Sequence, residues 1–299
     1  MIGKLQAFGK ALALAGSASI LAASLVAGSS ASAVTALTNQ WKFDEATAGS
    51  AAVDSVGGIS GTAFGNPAPQ PSTEVAYTSP SNPGSMQFDG QNYFEVANTL
   101  SADFTICAWI KTLSRGGDWH WIGANIIEAE VGGYGLDYGF GIDNEGKLMF
   151  GNGGEMNGGG NDNNVKGMTV VADDTWHEVC ATRNNTTGEI ILYVDGQQDA
   201  SGLTGIGLLS ANPVARIASG TDGAVPFVGL IDDLRLYTQI LPGTEIASNF
   251  EMDEVLYQSG VDLANTGRDS LALLALGGTL LVIGAGSIAL ARRRSATSK

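Results

Sequence analysis

Acidic side chains set among glycines are where this 299-residue chain is best placed to do chemistry. Glu128, Glu130, Asp137 and Asp143 fall in a stretch whose glycines let backbone come close to a ligand. Their oxygens suit a hard cation such as calcium, with Glu130 and Asp137 as candidate ligand-binding residues; the alternative is that all four are solvated surface acids. Just upstream, Asp118-Trp119-His120-Trp121 reads as a strand that presents Trp119 and Trp121 on one face. Such a pair either stacks on sugar rings or fills core, and core is favoured because a sandwich needs large inward residues. The two histidines, His120 and His177, have no Ser or Cys partner pattern around them, and His177 reads as a satisfied core or strand-end residue. The chain is therefore expected not to be an enzyme.

The two ends say where these residues work. Lys4 and Lys10, the apolar run Ala11 to Ala27 and the small-residue site Ala31-Ser32-Ala33 read as a signal peptide over residues 1–33, with the mature chain starting at Val34. Leu271 to Ala291 is an uncharged segment of 21 residues. As a helix it rises about 31 Å, enough to cross a hydrocarbon core of about 30 Å. Arg292, Arg293, Arg294 and Lys299 follow, so residues 292–299 form a basic tail that stays in the cytoplasm. Ahead of the span, separated from it by residues 268–270, stands Leu263-Ala264-Asn265-Thr266-Gly267. Pentapeptide, apolar helix and basic tail in this order resemble the sorting signal of sortase substrates, in the Leu-Ala-x-Thr-Gly form associated with class E sortases. Ala264 stands where the commoner motif has proline. The resemblance implies a sortase partner that attacks the Thr266 carbonyl, releases Gly267 and passes the chain to an amine of the peptidoglycan cell wall or of a pilus subunit. The protein is thus expected to be secreted and anchored to the cell surface.

From Val34 to Thr266 there are 8 Lys/Arg against 29 of the 30 acidic residues, a net charge of −21. Such a surface repels nucleic acid and anionic lipid, which excludes nucleic-acid partners, and it favours cation binding. Export places Cys107 and Cys180 in an oxidising setting. Either they bridge, closing about 74 residues and stabilising the fold by about 4 kcal/mol, or they are two buried free thiols.

Strand signals recur through the exported part. Phe104 to Ile110 alternates Phe104, Ile106, Ala108 and Ile110 with Cys107 and Trp109, all apolar, so the strand is expected to be buried on both sides. Trp176 to Thr182 and Ile190 to Val194 are similar, and Asp89-Gly90 and Asp195-Gly196 are hairpin signals. Asn144-Glu145-Gly146 turns between Tyr138–Ile142 and Lys147–Phe150. Gly151 to Asn164 reads as a solvated loop, with a calcium-repeat-like fragment at Gly158 to Asp162. One short helix is expected near Gly243 to Asn249. The pattern predicts an all-β sandwich or jelly roll over residues 34–250, followed by a 12-residue stalk, 251–262, that reaches at most about 40 Å.

Trp41-Lys42-Phe43-Asp44-Glu45, Asp54-Ser55, Phe88-Asp89-Gly90, Phe104 through Trp109, Trp176-His177-Glu178-Val179, Tyr193-Val194-Asp195-Gly196 and Gly229 through Tyr237 together resemble the bacterial laminin-G-like, or concanavalin A-like, family. The resemblance runs from about Gln40 to Phe250 and implies an all-β, two-sheet antiparallel jelly roll. Pentraxins, relatives of that fold, bridge cysteines in the same two strand contexts, which implies a Cys107–Cys180 disulfide. It also implies a structural calcium at Asp232, with Asp44 as a possible partner ligand. Hydrolases with this jelly roll carry Glu-x-Asp-x-(x)-Glu on one strand; Glu128-Ala129-Glu130 has only two carboxylates. The expected function is a sortase-anchored binding module for carbohydrate or a surface protein. The alternatives are a structural envelope or minor pilus component, and a divergent glycoside hydrolase.

Overall fold

One strand, β6 (Phe104–Thr112), shows why the chain needs more than two layers. Its Phe104, Ile106, Ala108 and Ile110 enter the main hydrophobic core, while Cys107 and Trp109 point the other way and are buried there as well. The computed structural model describes residues 37–79, 81–132, 136–153, 155–156, 159–160, 163–220 and 226–259. The expected signal peptide, sorting motif, membrane span and basic tail lie outside the described residues, and the fragment at 158–162 lies largely outside them. No helix among the described residues is long and apolar enough to cross a membrane.

β6 sits inside an eight-stranded sheet ordered β15 (Gln197–Leu203), β14 (Glu189–Val194), β13 (Trp176–Arg183), β6, β17 (Val228–Tyr237), β4 (Ser85–Asp89) and β3 (Gln70–Ser72), with β1 (Asn39–Trp41) also paired to β17. The facing sheet has seven strands: β12 (Asn163–Val170), β9 (Lys147–Asn152), β8 (Tyr138–Ile142), β7 (Ala124–Glu128), β16 (Val214–Ile217), β5 (Tyr93–Ala97) and β2 (Thr62–Phe64). A two-residue pair, β10 (Glu155–Met156) with β11 (Gly159–Gly160), stands apart. Every pairing is antiparallel, giving the all-β two-sheet sandwich of a jelly roll. Phe43, Phe88 and Phe94 pack edge-to-face and stacked at one end of the core, and Phe104, Tyr138 and Phe150 fill the other. Asp195 and Gly196 join β14 to β15 with φ of 50° and 72°, the double left-handed turn that a two-residue hairpin requires.

Helix α1 (Gly243–Ser259) is the third layer. Ile246 joins Cys107, Cys180, Tyr193, Tyr237 and Leu241 in a second apolar cluster on the back of the eight-stranded sheet, and Phe250 stacks on Trp109 at 5.6 Å. The expected helix end at Asn249, and the expected stalk from Glu251, are therefore corrected. The chain stays helical through 259 because Phe250 and Asp253 have buried partners on the sheet. The expected loop at 151–164 is also shorter than its composition suggests. Gly151 and Asn152 pair with Asn164 and Asn163, so the β9–β12 ladder runs into it from both sides.

Candidate functional site

Tyr138, Phe140, Ile142, Leu148 and Phe150 face the core, so alternation puts Gly139, Gly141 and Gly151 on the outer face of the seven-stranded sheet. That row of bare backbone is where residues 118–123 cross. They do not form the expected strand: His120–Ile122 is a single 3₁₀ turn. The cause is local. A side chain at Gly116 would meet the Gly123 and Ala124 backbone at about 2.2–2.5 Å, so two glycines let the chain close a tight loop. Trp119 is 43% exposed and lies against Trp121 with ring centres 5.1 Å apart and planes 16° from parallel. The expectation that this pair fills core is therefore corrected; it is a surface platform.

His120, between the two tryptophans, points into the protein and is fully buried. Gly151 lies under its ring, where even a Cβ would come to 2.4 Å of Nδ1. Nε2 is 3.3 Å from Glu130 Oε2, and ligand atoms of His120, Glu130 and Asp137 all lie within 4.8 Å of one another. The structure thus brings Glu130 and Asp137 together and buries both, at 7% and 1% exposure, so neither is a solvated surface acid. Burial pushes the Asp137 carboxyl up to about 6, and the Glu130 charge adds to the rise. One Asp137 oxygen accepts the Val131 N–H at 3.0 Å; the other has no hydrogen-bond partner. Glu128 and Asp143 do not join this group. Glu128 takes a hydrogen bond from the Asn125 amide, and Asp143 accepts the N–H groups of Glu145 and Lys147, shaping the β8–β9 turn.

The sheet face continues toward β2 with a second aromatic pair. Phe64 stacks on Tyr93 at 5.2 Å, and the Arg216 guanidinium lies 4.7 Å from the Tyr93 ring while bonding Glu95. Sequence reading missed His120, Asn164, Arg216 and Tyr93, whose partners are distant in the chain. The one local signal was Gly139-x-Gly141, two gaps on a face that something had to cover.

On the opposite sheet, Asp232 is fully buried. Ile231 and Leu234 both face the core, and the register of β17 against β6 shifts between Asp232 and Arg235. This irregularity, with Asp233 at φ 46°, turns Asp232 and Arg235 to the same outer side. One Asp232 oxygen accepts from Ala76 N–H and Asn82 Nδ2, and its Oδ1 has no hydrogen-bond partner. Burial holds this carboxyl well above the usual range, with the charges of Asp233 and Asp44 adding to the rise. Asp44, next to Phe43 at φ 58°, is pushed up to about 6 by burial. Beside them Arg235, fully buried, is held by Glu178, by Asp233 at 3.6 Å and by Asp253 of α1 at 3.3 Å. Cys107 and Cys180 are directly opposed in β6 and β13, and they are joined in a disulfide beneath α1.

Residues 87–247 match the laminin G family described as the concanavalin A-like lectin/glucanases superfamily. No curated protein matches the chain. Among solved structures, the binding domain of Paraclostridial Mosquitocidal Protein 1 superposes with a TM-score of 0.53 at 15% identity, over 72% of this chain and 52% of that one. This chain therefore spans about half of that domain's length. Domain 4 of AbnA, an extracellular arabinanase from Geobacillus stearothermophilus solved with arabinotriose, superposes with a TM-score of 0.50 at 18% identity, over 71% of this chain and 97% of that one. At these identities the likeness is one of fold.

Proposed function

The chain belongs to the concanavalin A-like lectin/glucanases superfamily, and from that premise we propose that it is a recognition module displayed on the cell surface, binding carbohydrate or a surface protein without hydrolysing it. The observation that carries this reading is the Trp119–Trp121 pair, with ring surface left in water at the margin of a polar sheet face. Flat apolar rings beside fixed polar groups suit the two kinds of surface that a sugar presents. The arabinanase domain of the same fold was solved with a sugar, which supports that ligand class. Glu130 and Asp137 are buried together against His120, an arrangement unlike two carboxylates flanking a scissile bond. On a glycan array, the full chain should retain a defined subset of glycans. Trp119→Ala should bind them about fivefold more weakly, the scale of a lost stacking contact of about 1 kcal/mol. Unchanged binding in the variant would reject the platform as the contact surface.

Display is assigned to the sortase route through Leu263, Ala264, Asn265, Thr266 and Gly267, between a cleaved signal peptide and a membrane span. With Thr266→Ala, the protein should become extractable by detergent and no longer linked to wall or pilus fragments. Mass spectrometry that finds the mature wild-type chain intact past Gly267 rejects the cut. Only Gly260, Val261 and Asp262 separate the end of α1 from the motif. This short spacing favours the second reading, a structural envelope or minor pilus component held close to its attachment point. A chain that retains no glycan or surface protein yet is found linked to pilus subunits would support it.

Calcium is proposed as a structural ion at Asp44 and Asp232. The residues fit a hard cation: Asp232 Oδ1 is a buried oxygen without a hydrogen-bond partner, and the Asp44 charge adds to the rise in the Asp232 proton affinity. Bound there, the ion would offset charge that the buried site otherwise meets with protons.

A further inference from the structure

Asn164 determines the chemistry of the histidine beside it. Its Nδ2 donates to the Asp118 carbonyl at 3.2 Å and its Oδ1 accepts the His120 backbone N–H at 3.1 Å, so the amide has one orientation. The same Oδ1 lies 2.9 Å from His120 Nδ1. Two acceptors do not face each other at that distance, so Nδ1 carries a proton and donates it. In the neutral imidazole, Nε2 then holds a lone pair, aimed at the space shared with Glu130 and Asp137. Asp137 Oδ1, buried and without a hydrogen-bond partner, borders the same space. The Nε2 lone pair and the unbonded Asp137 oxygen share one buried space, and a positive centre between them would be stabilised there.

We propose that His120 Nε2, Glu130 and Asp137 form a binding site for a divalent transition cation of the zinc class. The imidazole nitrogen argues against calcium, which takes oxygen ligands, and for a cation that takes nitrogen and carboxylate oxygen together. The Nδ1 bond to Asn164 is the outer partner that keeps a metal-bound imidazole in its tautomer. Gly151 leaves the ring room to sit flat on the sheet. Because Trp119 and Trp121 flank His120, the ion would also pin the turn that carries the platform. The site stands or falls independently of what the platform binds, because ion binding is measured directly.

The test uses the untagged full chain, stripped with chelator and titrated with zinc and with cobalt at neutral pH. We expect one ion retained per chain by elemental analysis after gel filtration, a visible cobalt absorption band, and quenching of tryptophan fluorescence by cobalt. His120→Gln and Asp137→Asn should each weaken retention about tenfold or more, and Asn164→Ala by about 10–100-fold, with a millimolar excess of calcium failing to compete. No retained ion, or retention equal in all variants, overturns the proposal. Should the variants fail to fold, imidazole nitrogen NMR of the wild type decides. Zinc should shift His120 Nε2 and leave the Nδ1 proton in place. A spectrum that shows both nitrogens protonated and does not respond to zinc means that a proton is the positive centre, and the proposal is wrong.

Discussion

His177 illustrates how much a single side chain can set. At the head of β13 its Nδ1 lies 2.8 Å from Asp195 Oδ2, and its Nε2 lies 3.0 Å from Thr175 Oγ1 and 3.3 Å from Asp173. The bond to Asp195 raises its pKa above the ordinary 6.5, against the opposing effect of burial. A histidine bound more tightly by its proton in the folded state stabilises fully below the unfolded pKa, and that stability is lost as pH rises through the folded value. The melting temperature should therefore fall as pH increases above about 6.5. His177→Gln should flatten that part of the profile; an identical slope in the variant would show that another group titrates. The residue was legible in sequence as a strand-end histidine. His120 was not: its partners Glu130, Asp137 and Asn164 come from separate strands and loops, and no local spacing announces them.

At the scale of elements, β6 was legible because every position from Phe104 to Ile110 is apolar or small, which demands cover on both faces. What supplies the second cover was not. α1 runs past Ser248-Asn249, residues that ordinarily favour a helix end, because Phe250 and Asp253 meet Trp109 and Arg235 on the sheet. Likewise Trp119 and Trp121 have strand spacing, and only the close approach of Gly116 to the Gly123 and Ala124 backbone shows why the chain turns there. The contacts between elements give two expectations. Asp253→Ala should destabilise by about 1–3 kcal/mol in urea unfolding, because it leaves the buried Trp109 Nε1–H without its acceptor and removes one of three carboxylates around a buried guanidinium. A loss below about 1 kcal/mol would mean that Glu178 and Asp233 suffice. Replacing both Cys107 and Cys180 by Ala should cost up to about 4 kcal/mol yet leave the circular dichroism spectrum unchanged. Non-reducing peptide maps should recover the two cysteines in one linked species, and free thiols in freshly isolated protein would count against the bridge.

For the whole molecule the governing quantity is charge: a net −21 between Val34 and Thr266. Carboxylates this dense repel one another in the compact state, and a bound divalent cation relieves part of that. Calcium at about 100 times its Kd should stabilise the full chain by about 2.7 kcal/mol, with magnesium doing much less. Asp232→Asn should abolish the difference between chelator and calcium. Equal melting temperatures in chelator and calcium for the wild type, with no calcium retained, would remove the ion from Asp44 and Asp232. A different consequence follows from the layering. Pulled from its C-terminal side, the domain would load α1 first, and this helix is held to the sheet by side chains rather than by a ladder of backbone bonds. It would yield softly, a few contacts at a time. Behind it the 73-residue span from Cys107 to Cys180 is withdrawn from the extensible length, roughly 250 Å of chain that force cannot reach while the bridge is intact. Under tension the domain would behave as a compliant first stage backed by a hard stop.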